Sequence, residues 1–194
     1  ERIVATAEIG AAILRISLPM GPSFNRCAGA IDWIESRFRE NRPATLYFDE
    51  IRTPTYVEDL DRVFEEMLQG DASGVFHAGG PRALSLFQIG QIVNRVGGFP
   101  PHLLKGLMRY EAGPLPPRAG NVRMDSSKLR KLLGREPFAP WPDDEKTTPT
   151  GRRWHHERPP GEPGSPEWMA TQLYRRRRAF AGAGDFSTAS AAAS

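Results

Sequence analysis

DEIRTPTYVEDL, residues 49–60, is the stretch on which the fold turns. Pro54 fixes its own φ and biases Thr53 toward an extended backbone, so Thr53 ends a strand rather than starting a helix. Thr55 stands three residues before Glu58, the spacing of a capping box. Leu60, Val63, Phe64, Met67 and Leu68 follow as an apolar stripe. The sequence predicts a strand that stops, turns at a rigid proline and opens an amphipathic helix. The turn puts Arg52 and two hydroxyls beside backbone N–H groups at a helix N-terminus, a place suited to an anion. An ordinary capped helix with a solvated Arg52 satisfies the same pattern.

Upstream, residues 45–49 (TLYFD) read as the strand leading into this turn, and residues 28–40 as an amphipathic helix carried by Ile31, Ile34 and Phe38. Residues 11–18 (AAILRISL) form a short β-branched apolar run, the pattern of a strand buried on both faces in a parallel sheet. The loop that follows, residues 19–22, holds two prolines and is predicted to leave the ladder. Ligands of open α/β sheets sit at such carboxyl ends, which makes Ser17, Leu18 and Pro19 candidate pocket residues. A plain strand-ending loop reads equally well. Residues 1–8 are compatible with the last turns of a helix broken at Gly10.

Downstream, Gly70 closes the opening helix, and residues 75–78 (VFHA) are a second buried strand stopped by Gly79 and Gly80, with His77 as a packing residue. Ser85 and Gln88 form another capping box ahead of a stripe at Ile89, Ile92, Val93 and Val96. Residues 103–110 look like a short helical piece between prolines. Asp125 is a natural N-cap for a helix burying Leu129, Leu132 and Leu133 and ending at Gly134.

After Trp141 the chain becomes rich in Pro, Gly and charge. We divide it into residues 1–142 and a tail, 143–194. The tail either wraps over the globular part, pinned by Trp154 and Trp168, or stays disordered, since it buries too little surface to offset its own ordering. Ser165 and Pro166 predict one short helix, with the apolar residues between Trp168 and Phe180 supplying its buried side.

Composition excludes several classes. With 194 residues, 39% hydrophobic and 25% charged, the chain is long enough for a real core, and it holds no apolar run of membrane-spanning length. A single cysteine, Cys27, precludes an internal disulfide and fits a reducing, cytoplasmic compartment. A net charge of +3 is too small to imply nucleic acid. A nucleic-acid module using the arginines at 175–178 is the rival; those side chains more simply complement a helix dipole. His155 and His156 have no partners at ligand spacing, so no metal site is expected. The sequence has no glycine-rich phosphate loop, no serine nucleophile elbow and no histidine evidently paired with Cys27. On the residues alone it is an α/β piece with a possible anion-binding turn.

The order ILRISLPMGP, DEIRTPTYVEDL, VFHAGG and PPRAGNVRMDSSKLRKLLG resembles the C-terminal half of the extended short-chain dehydrogenases/reductases (the NAD-dependent epimerase/dehydratase superfamily), nearest the dTDP-4-dehydrorhamnose reductase branch. The resemblance covers roughly residues 1–141. It implies late strands of an NAD(P)-binding Rossmann fold, a small α+β substrate lobe and a Pro/Gly-rich tail. It implies NADP or NAD as the cofactor of the intact parent, with Ser17, Leu18 and Pro19 against the nicotinamide. It also implies a nucleotide-sugar substrate near Arg52, Thr55, Arg118 and Asn121, and a homodimer is compatible with it. The family's Tyr-x-x-x-Lys pair and dinucleotide turn lie upstream of the matching region, so the chain reads as the interior of a longer one, inactive alone. None of Tyr47, Tyr56, Tyr110 or Tyr174 has a lysine four residues on. Leu18 and Met20 stand where the rhamnose reductases usually carry aromatics. An epimerase or dehydratase of the same superfamily, or a non-catalytic binding subunit, fits the same motifs.

Overall fold

The computed structural model describes residues 1–6, 10–23, 29–114, 119–157 and 163–174. In chain order these form α1 (Arg2–Thr6), β1 (Ala12–Ile16), β2 (Pro19–Met20), α2 (Asp32–Arg39), β3 (Ala44–Tyr47), β4 (Ile51–Arg52) and β5 (Thr55–Tyr56). Then follow α3 (Val57–Gln69), β6 (Gly74–Ala78), β7 (Leu84–Ser85), α4 (Leu86–Val96), β8 (Leu104–Leu107), α5 (Ser127–Leu133) and α6 (Pro166–Leu173). Three pairings among the described residues are parallel: β1 with β6, β2 with β5, and β3 with β8. The fourth, β4 with β7, is antiparallel. Parallel pairs separated by helices are the α/β organisation the sequence predicts.

Around them lie two hydrophobic clusters. One fills a lobe between α2, α4, α6 and the β3–β8 pair, with Phe38, Leu46, Ile92, Phe99, Trp141 and Leu173 buried in it. The other is smaller and joins α3 and α5 to the β1–β6 pair through Leu60, Val63, Phe76, Leu129 and Phe138.

Helix α4 follows its sequence signals closely. Ser85 Oγ accepts from the Gln88 backbone N–H at 3.1 Å and the Gln88 side chain accepts from the Ser85 N–H at 2.8 Å, which completes the capping box. Ile89, Ile92 and Val93 are buried and Gly97 is the C-cap. Likewise Ser165 caps α6 with Pro166 at its first position, and Gly134 ends α5 in the left-handed region at φ 65°.

Several expectations are corrected. Residues 11–18 are not buried on both faces: among the described residues β1 pairs with β6 alone, and Ala12, Arg15 and Ile16 are exposed. Residues 19–22 do not leave the ladder at once, because Pro19 and Met20 pair with Thr55 and Tyr56; proline is tolerated as the first residue of a strand. That pairing also shifts the start of α3. Thr55 is held in β5, the N-cap is Tyr56 in an extended conformation, and no side chain caps the helix, so the Thr55/Glu58 box does not form. Its outer positions Phe64 and Leu68 are exposed, as is Leu132 of α5.

Residues 103–110 are not helical over their length: a 3-10 turn at Pro101–Leu103 gives way to β8, registered on β3. Gly106 permits this, since the Phe48 and Phe87 rings occupy the space a Cβ would need. Finally, the N-cap position of α5 is Ser126, although Asp125 still accepts from the Ser127 N–H at 2.9 Å.

The described part of the tail packs onto the lobe. Trp154, Met169 and Leu173 are buried with α4, and Trp141 Nε1 donates to the Leu173 carbonyl at 2.9 Å. Trp154 acts as the predicted pin, whereas Trp168 is 46% exposed and Met169 takes its place in the core. Gln91 Nε2 holds the strap at the Gly151 and Arg152 carbonyls, and Arg95 lies over the Trp154 ring at 4.1 Å. The end of the predicted helix beyond Tyr174, the arginines at 175–178 and Cys27 lie outside the described residues.

Candidate functional site

The parallel strands β1 and β6 end side by side at Ile16 and Ala78, and three loops meet beyond them. Ser17 continues β1, its N–H donating to the Ala78 carbonyl at 3.1 Å. Its hydroxyl accepts from the Thr53 N–H at 3.2 Å and lies 3.1 Å from Thr53 Oγ1. Thr53 Oγ1 in turn receives the Met124 N–H at 3.4 Å, and Thr53's carbonyl receives the Gly80 N–H at 3.0 Å. Ser126 Oγ closes the ring on Gly79, accepting from its N–H at 2.9 Å and donating to its carbonyl at 2.8 Å.

Only glycines fit at the centre: a Cβ on Gly80 would strike the Pro54 carbonyl oxygen, and one on Gly79 would strike Thr53 Oγ1 and Met124. A cavity of about 280 Å³ opens here, lined by Thr53, Gly79, Gly80, Arg123, Asp125 and Ser126 among others. Asp125's carboxyl is held below its ordinary value, chiefly by the Ser127 backbone and side-chain hydrogen bonds.

Leu18 and Pro19 lie half-buried beside this ring, and the Leu18 carbonyl accepts the Thr55 N–H at 3.1 Å. Thr55 is fully buried, and its Oγ1 has no hydrogen-bond partner among the described residues. Arg52 is largely committed within the protein. Its Nη1 donates to the Ile51 and Gly120 carbonyls, each at 2.8 Å, and its Nη2 lies 3.4 Å from buried Glu50 Oε2. These contacts tie the turn to the 120–122 segment, where the Ile51 N–H also donates to Gly120 and the Val122 N–H to Ile51. Asn121 is exposed and accepts from the Arg123 N–H at 3.1 Å. Arg118 lies outside the described residues. The structure thus gathers Ser17, Leu18, Pro19, Arg52, Thr55 and Asn121 around one corner.

Thr53, Gly79, Gly80, Ser126 and Arg109 belong to the same corner and were not singled out from the sequence as site residues. Gly79 and Gly80 were legible only as a strand stop; the adjacent glycines were the signal for a close approach. A second, larger cavity of about 410 Å³ lies between α2 and α6, with Asp32, Glu35, Arg39 and Tyr174 in its wall. Burial pushes the Tyr174 phenol far up, and the carboxylates of Asp32 and Glu35 push the same way, so it stays protonated. Among the described residues no three His, Cys, Asp or Glu side chains gather at metal-binding range. None of the described helices is long and apolar enough to cross a membrane.

The residues present fit one edge of a dinucleotide site: a half-buried, mainly apolar loop at the carboxyl end of a parallel strand. They include no glycine-rich turn of the kind that cradles a pyrophosphate.

The fold is similar to that of several solved structures. The dTDP-glucose 4,6-dehydratase of Bacillus anthracis, solved with NAD, is similar at TM-score 0.57 and 16% identity over 70% of this chain and 44% of its own. The dTDP-4-dehydrorhamnose reductase of the same organism, solved with NADP, is similar at TM-score 0.54 and 18% identity over 64% and 42%. The Bordetella bronchiseptica enzyme WbmG, solved with NAD and UDP, gives 0.57 and 19% over 80% and 46%. The chain therefore spans less than half the length of each of these structures. A search of the curated proteins returns no match. Residues 1–148 match the RmlD substrate binding domain. The fold is that of part of these dehydratase and reductase structures, and the chain belongs to the RmlD substrate binding domain family.

Proposed function

We propose that this chain is the nucleotide-sugar-binding half of an NAD(P)-dependent reductase acting on a keto group of an activated sugar, of the dTDP-4-dehydrorhamnose reductase kind. The observation that carries the reading is the convergence of the 17–19 loop, the 52–55 turn and the 120–122 segment beyond the carboxyl ends of β1 and β6. Open α/β sheets take their ligands at that end.

In this reading Arg52, Arg118 and Asn121 hold the diphosphate and sugar hydroxyls, since planar guanidinium forks match phosphate oxygens. Thr55 offers a buried hydroxyl whose hydrogen bond is unmade among the described residues. Ser17, Leu18 and Pro19 form the wall against which a nicotinamide lies, with Ser17 fixed by Thr53. The dinucleotide supplies the hydride. The pyrophosphate cradle and the tyrosine acid belong, in this reading, to another part of the intact enzyme. Epimerase or dehydratase chemistry uses the same fold, and product analysis with a set of nucleotide-sugars separates these readings from reduction.

Titration calorimetry of the chain with dTDP and a dTDP-sugar tests the reading. Saturable binding that weakens about tenfold in Arg52→Ala, the size expected for one lost charge-assisted hydrogen bond, supports it. Absence of binding by either ligand overturns it.

A further inference from the structure

Asp49 and Arg109 leave the parallel β3–β8 ladder together. Tyr47 pairs with Leu107, the Phe48 N–H donates to the Leu107 carbonyl at 2.9 Å, and both chains then turn outward. Asp49 grips Arg109 twice: Oδ1 accepts the Arg109 backbone N–H at 3.0 Å and Oδ2 accepts Nε at 2.9 Å. Two bonds to one carboxylate fix both the backbone of the 109–112 turn and the plane of the guanidinium.

That plane lies against Gly120. A Cβ on Gly120 would land on Arg109 Nη2 and Cζ, so the Gly120 Cα lies close against the guanidinium. On its other side, Gly120's carbonyl accepts from Arg52 Nη1 at 2.8 Å and from the Ile51 N–H at 3.0 Å. Two arginines, one from β4 and one from the 109–112 turn, thus contact one glycine. Arg118 and Asn121, the residues proposed to close over the nucleotide-sugar, are its near neighbours in sequence.

We propose that Arg109, oriented by Asp49, is a positioning residue that sets the 119–121 segment beside the turn at Arg52 and so governs nucleotide-sugar affinity. The inference rests on the function proposed above. Among the described residues, Arg109 acts on the proposed ligand site through Gly120. Lysine does not replace it, because an ammonium has no planar fork to take the carboxylate and underlie the peptide at once. Partial burial pushes the Asp49 carboxyl up, but the Arg109 side-chain and backbone bonds outweigh it and hold it below its ordinary value, which keeps the grip intact near neutrality.

The test is a double-mutant cycle on dTDP affinity, with thermal unfolding and hydrogen exchange measured on the same proteins. Arg109→Met, Arg109→Lys and Asp49→Asn are each expected to weaken dTDP about tenfold. The double variant Asp49→Asn/Arg109→Met should be no weaker than either single, as residues acting as one unit require. Amide exchange should rise in residues 119–122 and stay at the wild-type rate in α4, with the unfolding midpoint little changed. Gly120→Ala should reproduce the exchange change from the other side of the contact.

Full additivity in the cycle, affinity retained in Arg109→Lys, or unchanged exchange at 119–122 overturns the positioning role. A wild-type chain that binds no dTDP overturns the proposed function instead, and the exchange data then judge the Arg109 contact by themselves.

Discussion

The β3–β8 and β1–β6 pairs are both parallel and joined through intervening helices, yet they are covered very differently. Over β3–β8, α4 and α2 supply a continuous apolar layer, and the strap through Trp154, Met169 and Leu173 packs behind it. Ala44 and Leu46 are buried in consequence. Over β1–β6, α3 and α5 bury Phe76 and Ala78, while Ala12, Arg15 and Ile16 of β1 remain exposed. Parallel strands depend on cover for their stability. The same strand pattern therefore gives a closed lobe in one place and an open sheet edge in another, and the candidate site lies where the open pair ends.

The largest expected difference between the two regions is in side-chain truncation. Trp141→Ala removes a fully buried indole and its bond to Leu173, and should destabilise the chain by about 3–5 kcal/mol in urea unfolding. Leu129→Ala, also fully buried but in the small cluster, should cost about 2–3 kcal/mol. An equal or larger loss from Leu129→Ala would erase the distinction between a thick and a thin core.

A finer comparison sets the two helix starts against each other. Ser85→Ala breaks a complete capping box and should cost about 1 kcal/mol. Thr55→Val, at the start where no box forms, removes a buried hydroxyl with no partner among the described residues and should be neutral or slightly stabilising. A clear destabilisation by Thr55→Val would mean that this hydroxyl is satisfied after all.

The smallest effect is in pH. Asp125 and Glu1 beside the open pair, and Asp49 beside the lobe, all have carboxyls held below their ordinary values. A depressed carboxylate contributes stability that is present above the unfolded value, about 4, and is lost as pH falls through the folded one. Stability should therefore decline below about pH 4, and the decline should be shallower in Asp125→Asn and in Asp49→Asn than in the wild type. Unfolding curves at successive pH values measure the slopes; identical slopes would remove these groups from the account.

Much of the architecture was legible before any coordinates because its signals are local. Ser85 with Gln88, Ser165 with Pro166, and Gly134 each act within one turn of helix, and each does what its spacing predicts. The rigid proline at 54 likewise ends β4 as expected. The motif order at residues 11–22, 49–60, 75–80 and 118–134 was enough to indicate the family. The 52–55 turn stood out in the sequence as a candidate anion-binding turn, but the sequence did not reveal that Arg52 also bonds to the Gly120 carbonyl and lies beside Glu50.

What the sequence determined by itself was the set of helix boundaries, turns and apolar faces, since these depend on neighbours three or four residues away. Tertiary structure alone decided that residues 104–107 extend as a strand beside β3 and that α3 starts one residue late because β5 pairs with β2. It also decided that the strap finds its cover on α4, and that Ser17, Thr53 and Ser126 form one ring around Gly79 and Gly80. The physical reason is distance along the chain. A strand edge, a buried indole or the carboxylate that orients Arg109 is satisfied by a group some 60 residues away in the case of Asp49. Nothing in the local pattern of either partner specifies the other.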